Sequence, residues 1–323
     1  MLARIRIDPY VVALLATVGL ASLFPCRGTV ATVMERAVSV GIALLFFLYG
    51  GRLARDVIVS GMTRWRLQVV VFLATFVLFP LLGLGLRAAL SSWMAAPLLD
   101  GIVFLAVLPS TVQSSIAFTS IARGNIPAAI CSATVSNLAG VVLTPFLVAV
   151  LLGKGDGSSG SLDAVWKIVG FLLVPFVVGH ALRPVIGEWL TRNKNWLGYV
   201  DRGSILLVVY TAFSAGVVSG IWRQVPPISV LLLVVVSAAL LGSVMGIMTW
   251  VARRLGFDKE DEIAIVFCGS KKSLASGLPM AKILFAGPTV GLIVLPLMLF
   301  HQLQLMVCAA LARRYALRPT LPP

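Results

Sequence analysis

The chain has 323 residues, of which 59% are apolar and only 12% charged, with 26 Lys and Arg against 12 Asp and Glu and a formal net charge of +14. Soluble globular chains run at about 45–50% apolar and about 25% charged. This composition excludes an ordinary soluble enzyme, and with it disorder, coiled coil, collagen and a disulfide scaffold.

A membrane helix needs about 20 mostly apolar residues. Ten such runs occur, near 9–25, 33–51, 66–87, 98–122, 125–152, 163–186, 198–220, 227–252, 262–286 and 288–312. The expected fold is therefore an all-α polytopic membrane protein of ten transmembrane helices. The first run follows Arg4 and Arg6 as a signal peptide would, but no A-x-A cleavage pattern follows, so it reads as a mature span. The basic residues sit in short clusters between the apolar runs. There they set topology and meet anionic lipid, so nucleic acid is not an expected partner. Placing both termini and the alternate loops on one side collects most of the Lys and Arg there. Both termini are therefore expected in the cytoplasm, with the chain in the cell (inner) membrane.

The longest polar link, Gly153 to Ser161, is rich in glycine and serine and reads as a flexible linker over 153–162. It divides the chain into residues 1–152 and 163–323, with five spans each. Five is odd, so related halves would be inverted with respect to each other, a transporter signature. Pro145 in the fifth span and Pro296 in the tenth lie at comparable depth.

The fourth run of each half is polar in its middle. Span 4 reads Leu108-Pro109-Ser110-Thr111-Val112-Gln113-Ser114-Ser115, and span 9 reads Phe267-Cys268-Gly269-Ser270-Lys271-Lys272-Ser273-Leu274-Ala275-Ser276-Gly277-Leu278-Pro279. Proline removes a backbone donor and glycine weakens a helix by up to about 1 kcal/mol, so both spans are expected to break at mid-membrane. Irregular backbone at that depth persists only when buried in protein or lining a wet cavity. Packing by small polar residues is the plainer reading of the serines and glycines, but it does not explain Lys271 and Lys272. A lysine at mid-bilayer costs at least about 2.5–3.5 kcal/mol, and no acidic residue falls at the same depth. Two uncompensated cations suit an anionic substrate; the alternative is that they snorkel into a vestibule. Gln113, Ser270, Lys271, Lys272, Ser273 and His301 are the candidate substrate ligands. His301 also fits a hydrogen-bonded core histidine. Cys26, Cys131, Cys268 and Cys308 carry no metal or redox spacing and read as inert thiols.

The two motifs, 109–125 and 267–279, resemble the bile acid:sodium symporter family, and within it a divergent branch whose members are classed as sodium-dependent transporters. The likeness covers nearly the whole chain. It implies two inverted five-helix repeats arranged as a panel domain (spans 1, 2, 6 and 7) and a core domain (spans 3–5 and 8–10), with broken helices 4 and 9 crossing in the core. It also implies a sodium site built from spans 4, 5 and 9. The positions matching it here are Ser114 and Ser115, with Thr134 and Asn137 on span 5. Where that family carries a glutamate and a glutamine on span 9, this chain has Phe267 and Lys271.

The expected function is a secondary active transporter of a small organic anion, a sodium symporter working by alternating access. The first alternative is a proton-coupled or sodium-independent carrier in which Lys271 or Lys272 replaces the ion. The second is a membrane regulator or scaffold that moves no solute. No enzyme motif and no P-loop is present, no cofactor is expected beyond a sodium ion, and the lipid bilayer is the only obligate surroundings.

Overall fold

The computed structural model describes residues 9–52, 64–153, 162–220, 225–285 and 287–318. Their regular elements are all helices: α1 (Pro9–Leu23), α2 (Gly28–Arg52), α3 (Trp65–Ala89), α4 (Ala96–Val107), α5 (Val112–Ile121), α6 (Ile126–Leu152), α7 (Leu162–Arg192), α8 (Lys194–Val218), α9 (Pro227–Arg254), α10 (Lys259–Gly269), α11 (Leu274–Leu284) and α12 (Val290–Ala316). Seven are long and apolar enough to cross a membrane, or eight when α4 and α5, bent by 61° at their junction, count as one span. α1 has only 15 residues, and the run at 262–286 is two helices of 11 residues each. Residues 154–161 of the expected linker lie outside the described residues.

Local chemistry sets the ends. Asn125 caps α6 by accepting from the Ala128 N–H at 3.0 Å, with Pro127 in the first turn, where its missing donor costs nothing. α6 ends at Gly153, whose φ of 59° is left-handed and favours glycine. Asp258 caps α10, and Glu260, Asp261 and Glu262 fill its first turn, where the helix dipole favours negative charge. α7 runs on to Arg192, beyond the expected 186, and holds Pro175 and Pro184 inside it.

The helices pack as two compact units. One gathers α1, α2, α7 from Gly170 onward and α8, with residues 278–292. In it α1 and α2 both lie along α8, and Arg52 pairs with Asp201. Gly50 of α2 and Gly179 of α7 let two backbones touch, because a Cβ on either would overlap a carbonyl of the other helix, at Phe176 and Phe47 respectively.

The other unit gathers α3 to α6, α9, α10 and residues 293 onward. α10 is its hub, packed against α3, α5, α6 and α9, and every residue from Asp261 to Leu274 is buried. Large apolar side chains such as Leu81, Val150 and Val235 point outward, as lipid-facing positions do in a protein whose solvent is the bilayer.

Candidate functional site

The two expected breaks are present, at 108–111 between α4 and α5 and at 270–273 between α10 and α11. Both lie in the α10-centred unit, and they bond to each other. The Ser273 N–H donates to the Pro109 carbonyl (2.9 Å), the Thr111 hydroxyl to the Lys272 carbonyl (2.9 Å), the Ser110 hydroxyl to the Cys268 carbonyl (2.6 Å) and the Ser115 hydroxyl to the Phe267 carbonyl (3.3 Å). An unpaired backbone group in a dry interior costs about 1–3 kcal/mol. The hydroxyl-rich composition of the breaks is therefore what allows them to exist at depth.

Lys272 completes this accounting. Its side chain is fully buried, and its Nζ lies 2.9 Å from the Thr75 carbonyl, 2.7 Å from that of Ala106 and 2.7 Å from that of Leu108. Each of those oxygens is free for a local reason. In α3 the segment Ala74–Leu78 is a π-turn, in which the Phe79 N–H reaches back five residues to Ala74. In that register Thr75 would be served by residue 80, which is proline and has no N–H. In α4 the donor for Ala106 would be the Ser110 N–H, which turns instead to the Ser136 hydroxyl at 2.9 Å. Leu108 lies past the end of α4, in the break itself. Three acceptors around one nitrogen match the three N–H bonds of an ammonium; a neutral amine would set its lone pair against one of them. The Phe79 ring closes the cradle, its centroid 4.1 Å from Nζ. This geometry leaves Lys272, expected as an anion ligand, no N–H for one.

Lys271, equally buried, is held differently. It donates to the Ser114 carbonyl at 2.8 Å and lies between two aromatic faces, Phe118 (4.1 Å) and Phe267 (5.3 Å). Phe267 is the position where the resemblance expects a glutamate. A ring quadrupole faces the cation there in place of a carboxylate. Neither lysine forms an ion pair among the described residues, as expected from the absence of an acid at that depth.

Each break is also held by an amide from the next long helix. Asn137 of α6 donates to the Ser110 carbonyl (2.6 Å) and accepts from the Ser276 hydroxyl (2.8 Å). Gln304 of α12 grips the Lys272 backbone at both ends, accepting from its N–H (2.9 Å) and donating to its carbonyl (3.0 Å). The expected site did not include Gln304, Thr75, Pro80, Phe79 or Phe118. Gln304 was visible as an amide in the tenth span, but the other four needed the π-turn and the helix packing. His301 reaches the site through Gln304 (2.8 Å). Ser273 and Ser276 bond to each other at 3.1 Å, and the Ser270 hydroxyl turns back to the Val266 carbonyl at 2.6 Å.

Of the other expected ligands, Ser115 and Asn137 bond within the breaks, and the Ser114 carbonyl holds Lys271. Gln113 is exposed and Thr134 half-buried. The Ser114 hydroxyl is buried without a partner, and Asn137 bonds to Ser110 and Ser276. Among the described residues no group of three His, Cys, Asp or Glu could hold a metal ion. Cys131, Cys268 and Cys308 are buried, and Cys26 is partly exposed.

The sequence has relatives along nearly its full length. The family model described as the SBF-like CPA transporter family matches residues 8–317. The chain is 60% identical to "Uncharacterized protein PA2026" of Pseudomonas aeruginosa, over 96% of this chain and 93% of that one. It is 52% identical to "Putative symporter YfeH" of Escherichia coli, with the same coverage. It is 29% identical to "Sodium/bile acid cotransporter 7" of Rattus norvegicus, again over 96% and 93%. A match spanning almost every described helix, joined to that identity, means that the chain belongs to the SBF-like CPA transporter family and is a multi-pass membrane protein of transporter type.

Proposed function

We propose that the protein is a sodium-independent carrier of a small organic anion that works by alternating access, with the tethered ammonium of Lys272 standing in the place of a bound sodium ion. The observation that carries this reading is the Lys272 cradle: three backbone oxygens from α3, α4 and the first break around one ammonium, with no carboxylate. A cation held by carbonyls where two broken helices meet is the arrangement that carriers use for a coupling ion. Here a side chain supplies it.

On this reading the chain forms ten spans as two inverted repeats in the inner membrane, with both termini cytoplasmic. The paired amide clamps support the repeat, because Asn137 and Gln304 each hold the break of the preceding span from the following long helix. The two packing units support a panel of spans 1, 2, 6 and 7 and a core of the rest, apart from residues 278–292, which pack with the first group, and 162–169, which pack with the second. The name of one relative, a sodium/bile acid cotransporter, supports an organic anion of bile-acid type. Gln113, Ser270, Ser273 and His301 remain the candidate substrate contacts, and Ser276, bonded to Ser273, joins them.

A second reading, proton coupling, rests on Lys271. It has a single carbonyl acceptor and two ring faces, so its N–H bonds are not all taken.

Purified protein is to be screened by thermal unfolding against a conjugated bile acid and a set of smaller carboxylates and sulfonates. Each is tested in sodium and in potassium buffer, and binders are then reconstituted for flux. Stabilisation and flux that are equal in the two salts are expected. Binding that requires sodium overturns the tethered-cation reading, and binding without flux makes the protein a receptor or scaffold.

A further inference from the structure

Away from the breaks, a groove of about 580 Å³ runs between the last turns of α9 and α12. Met245, Gly246, Thr249, Trp250, Arg253 and Arg254 line one wall, and Leu311 and Tyr315 the other. The lining changes along its length. Met245, Gly246 and Leu311 make its deeper part apolar, and the two arginines stand at its end. Trp250, 59% exposed, and Tyr315 sit between, as aromatic side chains do at a membrane interface. From Met245 to Arg254 is about 14 Å at 1.5 Å per residue, enough for a glycerol and the upper part of an acyl chain.

The groove is open space, since a Cβ built on Gly246 meets no atom within 4 Å. Its charge is lopsided. Glu262, the one carboxylate paired with Arg253 among the described residues, is shared by Arg253 (3.1 Å), Lys259 (2.6 Å) and the Tyr315 hydroxyl (3.2 Å). Arg254 lies over the Trp250 ring at 5.7 Å and forms no ion pair among the described residues. A guanidinium over an indole ring at the end of an apolar groove, with no carboxylate paired to it among the described residues, has N–H bonds to offer a phosphate, which arginine binds with two at once.

We propose that this groove binds an anionic phospholipid from the bilayer, with the phosphate on Arg254 and Arg253 and an acyl chain along Gly246 and Leu311. Basic pockets between membrane helices take acidic headgroups in this way.

The test uses delipidated full-length protein in detergent. Thermal unfolding is measured with added dioleoylphosphatidylglycerol, with dioleoylphosphatidylcholine, or with potassium phosphate, at constant ionic strength. Three variants are compared: Arg254→Gln, Gly246→Leu and, as a control for loss of one surface charge, Arg192→Gln. Phosphatidylglycerol is expected to raise the unfolding midpoint of the wild type and of Arg192→Gln, while phosphatidylcholine and phosphate leave it unchanged. Arg254→Gln is expected to weaken the response about fivefold. Gly246→Leu fills the acyl seat and removes the response while its lipid-free midpoint stays near that of the wild type. No response to phosphatidylglycerol, an equal response to phosphatidylcholine or to phosphate, or a response unchanged in either groove variant overturns the proposal.

Discussion

Two adjacent lysines of the same burial do different jobs because their acceptors differ. Lys272 has three carbonyls, so truncating it strands three buried acceptors, at about 1–3 kcal/mol each. Lys272→Ala is expected to lose more than about 3 kcal/mol of stability and to be partly rescued by n-propylammonium, which refills the space and restores the N–H bonds. Thermal unfolding with n-propylammonium or choline as the added cation checks this; equal effects of the two would mean that the cradle does not select an ammonium. Lys271 gives up one carbonyl, at about 1–3 kcal/mol, together with its two ring contacts. Methionine has similar length and favours aromatic neighbours, so Lys271→Met is expected to melt well above Lys272→Ala in the same assay.

Among the helices, what matters is how a broken one is made whole. Gln304 satisfies both backbone groups of Lys272, and leucine in its place strands both. Gln304→Leu is expected to cost about 2–4 kcal/mol, read as a lower unfolding midpoint than that of Gln302→Leu on the same helix. The breaks were legible in the sequence, because Pro109 and Gly269 weaken a helix and the lysine pair beside them is not explained by packing. The span ends were legible within a few residues wherever a proline, an Asn or Asp cap or a basic cluster marks them. The clamps were not legible. A carbonyl oxygen has no letter in the sequence, and whether it is free depends on the register of its own helix. Thr75 shows this best. Its oxygen is vacant only because the π-turn passes its donor role to Pro80, and a proline in an apolar run predicts a kink without saying which oxygen it exposes. Gln113 and Thr134 show the same limit: side-chain type nominated the first and the resemblance the second, while the packing alone decides that Gln113 is exposed and that Thr134 makes no side-chain hydrogen bond among the described residues.

Over the whole molecule, the distribution of basic residues gives an orientation that can be tested directly. A green fluorescent reporter placed after Arg318 is expected to fluoresce in cells, and an alkaline phosphatase placed there to be inactive. The reverse result would turn the ten-span topology over. The same scale gives the Lys272 cradle a consequence for how the protein is made. Its oxygens come from residues 75, 106 and 108, yet the nitrogen that fills them lies 164 residues beyond the last. At about 5–20 residues per second of translation, the ribosome delivers that nitrogen on the order of ten to thirty seconds later. For that interval the earlier helices stand in the bilayer with a hole of bare oxygens at their centre. The newborn chain must be shielded by water, by the insertion machinery or by a loose early packing until its own later half arrives to close it.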